Sequence, residues 1–127
     1  MAVWLAVASG SALGGVLRHG LNHVIHQRNV ASTFPMGIFT INVIGSFVIG
    51  AIAGALASGR LHLGYEARTF LIVGVLGGFT TFSAFSLEIA LLIEKGMIGL
   101  AAAYAATSIV AGAVGLFAGL AIMRGAA

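Results

Sequence analysis

Residues 2–21, 37–57, 69–93 and 99–123 are apolar almost throughout and hold two charged residues between them, Arg18 and Glu88. Each run is close to or above the about 20 residues that an α-helix needs to cross a bilayer core. Backbone N–H and C=O groups in lipid must bond internally, and for runs of this length a helix satisfies that requirement. The expected fold is therefore an all-α membrane protein, one domain over residues 1–127, with four transmembrane helices. The connections are residues 22–36, 58–68 and 94–98. The first carries the single proline, Pro35, which suits a helix start; the third is a tight turn around Lys95 and Gly96.

Composition excludes several other classes. Charged residues make up 7% of the chain, against about 25% in soluble domains. There is no cysteine, so disulfides and thiolate metal sites are ruled out. The start, Met-Ala-Val-Trp-Leu, lacks a positive leader, and no signal peptide is expected. The six Lys and Arg are scattered and form no nucleic-acid patch. Aspartate is absent, the acids are Glu66, Glu88 and Glu94, and no serine stands beside a plausible base, so enzymatic chemistry has no support. His19, His23 and His26 share a helical edge, but no carboxylate lies near them in sequence to complete a metal site.

The third run contains Gly74-Val-Leu-Gly-Gly-Phe-Thr-Thr-Phe-Ser-Ala-Phe-Ser-Leu-Glu88. Glycine costs a helix roughly 1 kcal/mol per position, which predicts an interruption near Gly77–Thr81. Broken backbone at membrane depth is tolerated where protein or a watery cavity surrounds it. The segment therefore reads as the lining of an ion path.

Positive charge is balanced between the membrane faces. Four spans put both termini on one face, with Arg60, Arg68 and Arg124; the other holds Arg28 and Lys95, with Arg18 near the end of span one. The positive-inside rule does not choose an orientation here. Either the chain inserts both ways and pairs with an inverted copy, or other signals orient it.

Each span carries a stripe of small or polar residues. Ser11, Gly14, Gly15, Arg18 and Asn22 align on span one, and Asn42, Ser46 and Gly50 on span two. Tyr104, Ser108, Gly112, Gly115 and Gly119 align on span four. Close helix packing accounts for the glycines. Asn42, Tyr104 and Ser108 must also find hydrogen-bond partners inside the membrane, from another helix or from a ligand. Arg18 either snorkels to the interface or faces protein as an anion-attracting charge. Glu88, an acid within a span, is a candidate functional group or a vestibule residue.

Apart from Arg18, the polar groups within the spans are mostly donors, among them Asn42, Thr80, Thr81, Ser83, Ser86, Tyr104 and Ser108. That pattern favours an anion over a cation. Phe82 and Phe85 either pack or turn their positive ring edges to the ion.

These motifs resemble the Fluc or CrcB family of bacterial fluoride channels over nearly the whole chain. The residues carrying the likeness are Gly14-Gly15 with Arg18, the block Gly37-Ile-Phe-Thr-Ile-Asn42-Val-Ile-Gly-Ser-Phe47, the run Gly77–Glu88, and Tyr104 with Ser108. Ala84 departs from the pattern, standing where a hydroxyl residue is common. The resemblance implies an antiparallel dual-topology homodimer in the bacterial inner membrane, with two pores each lined by both subunits. It implies an aromatic box of Phe82 and Phe85, an ion-binding Asn42, further lining by Tyr104, Ser108 and Thr81, and vestibules at Arg18 and Glu88. It also implies a structural, untransported sodium ion held by the carbonyls of Gly77 and Thr80 from both copies. The partners expected are fluoride, lipid and a second, inverted copy, with no nucleic acid. Two rivals remain: a proton-coupled exporter of small cations, which needs a membrane-embedded acid, and a non-conducting accessory subunit.

Overall fold

The computed structural model describes residues 1–125. Its elements, in order, are α1 (Ala2–Arg28), α2 (Met36–Ala57), α3 (Tyr65–Thr69), a π-helical segment (Phe70–Leu76), α4 (Gly77–Phe79), α5 (Phe82–Glu94) and α6 (Ile98–Gly125). The fold is all-α, as the apolar runs require. Three segments are long and apolar enough to cross a membrane: Met36–Ala57, Tyr65–Glu94 and Ile98–Gly125. The last of these buries just Ala101, Tyr104 and Gly119 among its described residues, while Ile109, Val110, Val114 and Phe117 stay exposed. So much outward apolar surface suits lipid or a partner rather than water. The chain is a multi-pass membrane protein.

The first expected span differs from the others. Helix α1 continues to Arg28, seven residues past the expected end at Leu21, so half of the expected connection is helical. Its second half carries Arg18, His19, Asn22, His23, His26, Gln27 and Arg28, and it falls outside the three segments that qualify as spans. The His23 ring and the Gln27 amide lie 3.0 Å apart, one turn apart on this polar end.

Two helix ends close in the same way. After α2, Arg60 N–H donates to Ala55 C=O (3.0 Å) and Gly59 N–H to Leu56 C=O (3.3 Å). After α5, Met97 N–H donates to Leu92 C=O (2.9 Å) and Gly96 N–H to Ile93 C=O (2.8 Å). Both are Schellman closures, which need a left-handed residue, and Gly59 (φ 72°) and Gly96 (φ 75°) provide it without a Cβ clash.

Helix α2 lies along α6, and α1 lies along the π-helical segment and α4. Glycines set both approaches. A β-carbon on Gly50 would overlap the Leu116 carbonyl, and one on Gly119 the Phe47 carbonyl. The small-residue stripes on spans two and four thus meet each other. The buried core of Ile38, Ile41, Phe85, Leu92, Ala101 and Tyr104 lies where α2, α5 and the start of α6 converge.

The break in the third span is narrower than expected. Gly77, Gly78 and Phe79 are helical, and the extended residues are Thr80 (φ −81°, ψ 158°) and Thr81 (φ −153°, ψ 126°). The irregularity begins earlier, at Phe70, as a π-helical turn. Gly74 and Gly78 mark close contact, not loosened backbone. A β-carbon on Gly78 would sit 2.5 Å from the Ser11 carbonyl oxygen, so glycine is what lets α4 rest on α1.

Candidate functional site

The break is held by one side chain from α2. Asn42 Nδ2 donates to the Thr81 carbonyl (3.0 Å), and Asn42 Oδ1 accepts from the Thr81 amide (2.9 Å). The amide side chain thereby pairs with an extended residue as a neighbouring strand would, satisfying backbone groups that the helix has released. Thr81 also caps α5, its Oγ1 accepting from Ala84 N–H (3.2 Å). A threonine N-cap contributes about 1 kcal/mol to a helix start. The Ser83 hydroxyl lies 3.3 Å from the Thr81 hydroxyl, and Ala84 enters this network through its backbone alone.

Restarting the helix at Phe82 sets the aromatic residues. Phe82 is 79% exposed, whereas Phe85 is buried. Their ring centroids are 5.7 Å apart, and Phe85 continues to Tyr104 at 5.4 Å. The Tyr104 ring also meets Phe34 edge-on (5.3 Å, 85°).

A cleft of about 310 Å³ opens beside the break, lined by Asn42, Ser46, Thr80, Thr81, Phe82, Phe85 and Ser108, with Ile49 and Ile109. No charged residue lines it. Ser108 Oγ is buried and has no hydrogen-bond partner among the described residues. A buried hydroxyl without a partner is unfavourable, typically by about 1–3 kcal/mol. Asn42 Nδ2 keeps a second hydrogen beyond the one given to Thr81. Donors and aromatic ring edges without a fixed charge suit a small, strong hydrogen-bond acceptor.

The structure brings five of the expected lining residues, Asn42, Thr81, Phe82, Phe85 and Ser108, to this one cleft. Tyr104 is placed elsewhere. It is fully buried, and its hydroxyl donates to Glu88 Oε2 at 2.6 Å. Glu88 lines a separate cleft of about 300 Å³ with Asn22, His26 and Lys95. Ser46 also lines the main cleft, and its place one turn after Asn42 is the signal for it in the sequence.

Arg18 lies on the other side of Thr81. It lines a cleft of about 320 Å³ with Gly15, His19, Asn22, Thr81 and Ser83, and its Nη1 donates to the Thr80 carbonyl at 3.4 Å. Gly77 and Thr80 have lost their ordinary helical donors. The amide due to Gly77, that of Thr81, goes to Asn42 Oδ1, and the amide due to Thr80, that of Ala84, goes to Thr81 Oγ1. Such released carbonyls carry the partial negative charge of a helix end. Among the described residues, no group of three or more His, Cys, Asp or Glu side chains could hold a metal ion.

The sequence pattern of the family described as "CrcB-like protein, Camphor Resistance (CrcB)" matches residues 5–120. The "Fluoride-specific ion channel FluC" of Novosphingobium aromaticivorans is 56% identical over 122 residues, covering 95% of each chain. "Fluoride-specific ion channel FluC 2" of Nitrobacter hamburgensis is 54% identical, covering 95% of this chain and 96% of its own. The FluC of Rhodospirillum centenum is 49% identical over 128 residues, covering 98% of this chain and 97% of its own. A match over residues 5–120, with relatives this similar over nearly their full length, places this chain in the CrcB-like family.

Proposed function

We propose that the chain is a subunit of a fluoride-selective channel, which lets fluoride leave the cytoplasm passively across the bacterial inner membrane. It is not an enzyme: the proteins it resembles carry the name of a channel. The observation that carries the reading is the uncharged cleft that Ser108 shares with two phenylalanines, its hydroxyl buried without a hydrogen-bond partner among the described residues. Fluoride is small and a strong hydrogen-bond acceptor. It would accept hydrogen bonds from the Ser108 hydroxyl and the free Asn42 amide N–H, with ring edges of Phe82 and Phe85 replacing part of its hydration. The absence of a fixed cation in the cleft keeps binding weak enough for release. Arg18 on one side and Glu88 with Tyr104 on another would line the approaches.

The working unit in this reading is an antiparallel homodimer with two pores. Phe82 lies open on the outer surface, so a second copy would complete the cleft. The balanced loop charges are consistent with both insertions. Helix α1 would be the fourth span: its 27 residues extend about 40 Å, more than a bilayer core. The carbonyls of Gly77 and Thr80, two from each copy, would hold a structural sodium ion. Hard cations prefer oxygen ligands, and these two have lost their helical donors. Sodium bound there would supply a fixed positive charge to the dimer centre.

Flux from purified protein in liposomes tests the channel. Fluoride should leave rapidly, and chloride no faster than from empty vesicles. Comparable chloride flux refutes selectivity, proton-driven cation exchange points to an exporter, and no flux at all points to an accessory subunit. Orientation is a separate matter. The chain has no cysteine, so His62→Cys introduces a single label site in an exposed connection. An impermeant maleimide on intact cells should reach roughly half of the copies in a symmetric inverted dimer. Uniform labelling or uniform protection would exclude the inverted homodimer.

A further inference from the structure

Arg18 is a cation held at an oxygen that the proposed sodium ion would also use. Its Nη1 lies 3.4 Å from the Thr80 carbonyl. That carbonyl is open because Ala84 N–H donates to Thr81 Oγ1 instead. The neighbouring helix can come so near because α1 has Gly14 against the turn: a β-carbon there would lie 2.7 Å from the Phe79 amide. At 3.4 Å the contact is longer than a charge-assisted hydrogen bond, which usually measures about 2.7–2.9 Å. No carboxylate lines the cleft around Arg18 to neutralise it.

We infer that Arg18 and sodium compete for the Thr80 carbonyl, so that filling the cation site drives Arg18 off that oxygen and into the separate vestibule cleft it already lines. The inference rests on the proposed sodium site and adds its regulation. A sodium ion on that oxygen and a guanidinium donating to it are like charges a few ångström apart, and they repel. The side chain has somewhere to go. The cleft of Gly15, His19, Asn22, Thr81 and Ser83 offers about 320 Å³ without an acid to trap it. In that position its charge would face the side from which an anion approaches Thr81. Cation binding at the dimer centre and anion recruitment at the vestibule would then be coupled through one side chain. Arg18 is in this sense a positioning residue for the cation site.

Thermal unfolding of the purified protein across a sodium titration tests the coupling, with N-methylglucamine holding ionic strength constant. The wild type should show sodium-specific stabilisation with a definable midpoint. Arg18→Gln removes the competing charge, and its sodium midpoint should fall by at least about fivefold, the low end of ordinary coupling between sites. Arg18→Met keeps the apolar stem and should shift alike, which separates charge from packing should the glutamine variant fold poorly. An arginine with a merely structural role would lower the unfolding temperature at every sodium concentration and leave the midpoint unmoved. That result, or a raised midpoint, overturns the competition while leaving the sodium site in place. A wild type with no sodium-specific stabilisation overturns both.

Discussion

Phe82→Ile should abolish most fluoride flux while the protein folds and elutes as the wild type does. The reason is the placement of the ring. Phe82 is 79% exposed within the subunit, so its own core loses little when the ring is removed. Volume-conserving apolar swaps cost less than about 1.5 kcal/mol even when buried. Isoleucine has no positive ring edge, and any requirement for that edge in the ion path is lost with it. Phe85→Ile should also stop flux, with an added loss of stability, because Phe85 is buried and packs between the rings of Phe82 and Tyr104. Phe79→Ile is the control: Phe79 packs against the core and does not line the cleft, so this variant should conduct. Liposome efflux measured beside elution position separates these outcomes. Normal flux in both Phe82→Ile and Phe85→Ile would reduce the two rings to packing groups.

Asn42→Leu should destabilise the fold and silence the channel together. The side chain closes two hydrogen bonds on the Thr81 backbone, at 3.0 and 2.9 Å. Leucine is of similar size and leaves both the Thr81 amide and carbonyl without a partner. Each unsatisfied group costs about 1–3 kcal/mol, giving a total of roughly 2–6 kcal/mol, the larger end applying where lipid excludes water. Asn42→Asp distinguishes clamping from ion binding. It retains an acceptor for Thr81 N–H but sets a carboxylate against the Thr81 carbonyl and the anion path. Flux should vanish in both variants, with the aspartate form keeping more of the fold. An Asn42→Leu protein with wild-type unfolding temperature and flux would remove Asn42 from both roles.

Much of this architecture is legible along the chain because the bilayer leaves it so little choice. Long apolar runs have to be helical in lipid, so the all-α class and three of the expected spans follow from residue order alone. Gly96 marks where a helix ends, since glycine closes a left-handed cap without strain. The alignment of Asn42 with Ser46 and Gly50, and of Ser108 with Gly112 and Gly119, was readable from helical periodicity. The match of the Gly77–Glu88 run to one family was readable too.

Other features depended on contacts between residues far apart in sequence. Glycine in the third span predicts a break over Gly77–Thr81, yet within that range just Thr80 and Thr81 leave the helix. Ser11 comes against Gly78, so tight packing explains that glycine, while Asn42, thirty-nine residues from Thr81, binds the residue that actually leaves the helix. Propensity weighs a residue against its neighbours in the chain and has no knowledge of either partner. The same holds for Tyr104, whose stripe position requires a hydrogen-bond partner inside the membrane without naming it; the partner is Glu88 from α5. It holds for the end of α1 as well, where polar residues that read as a loop continue the helix to Arg28. Residue order by itself determined which segments are helical and which face of each is small or polar. Only the tertiary structure decided which polar groups satisfy one another, leaving the Ser108 hydroxyl without a partner in the cleft, because hydrogen-bond pairing is settled by distance in space.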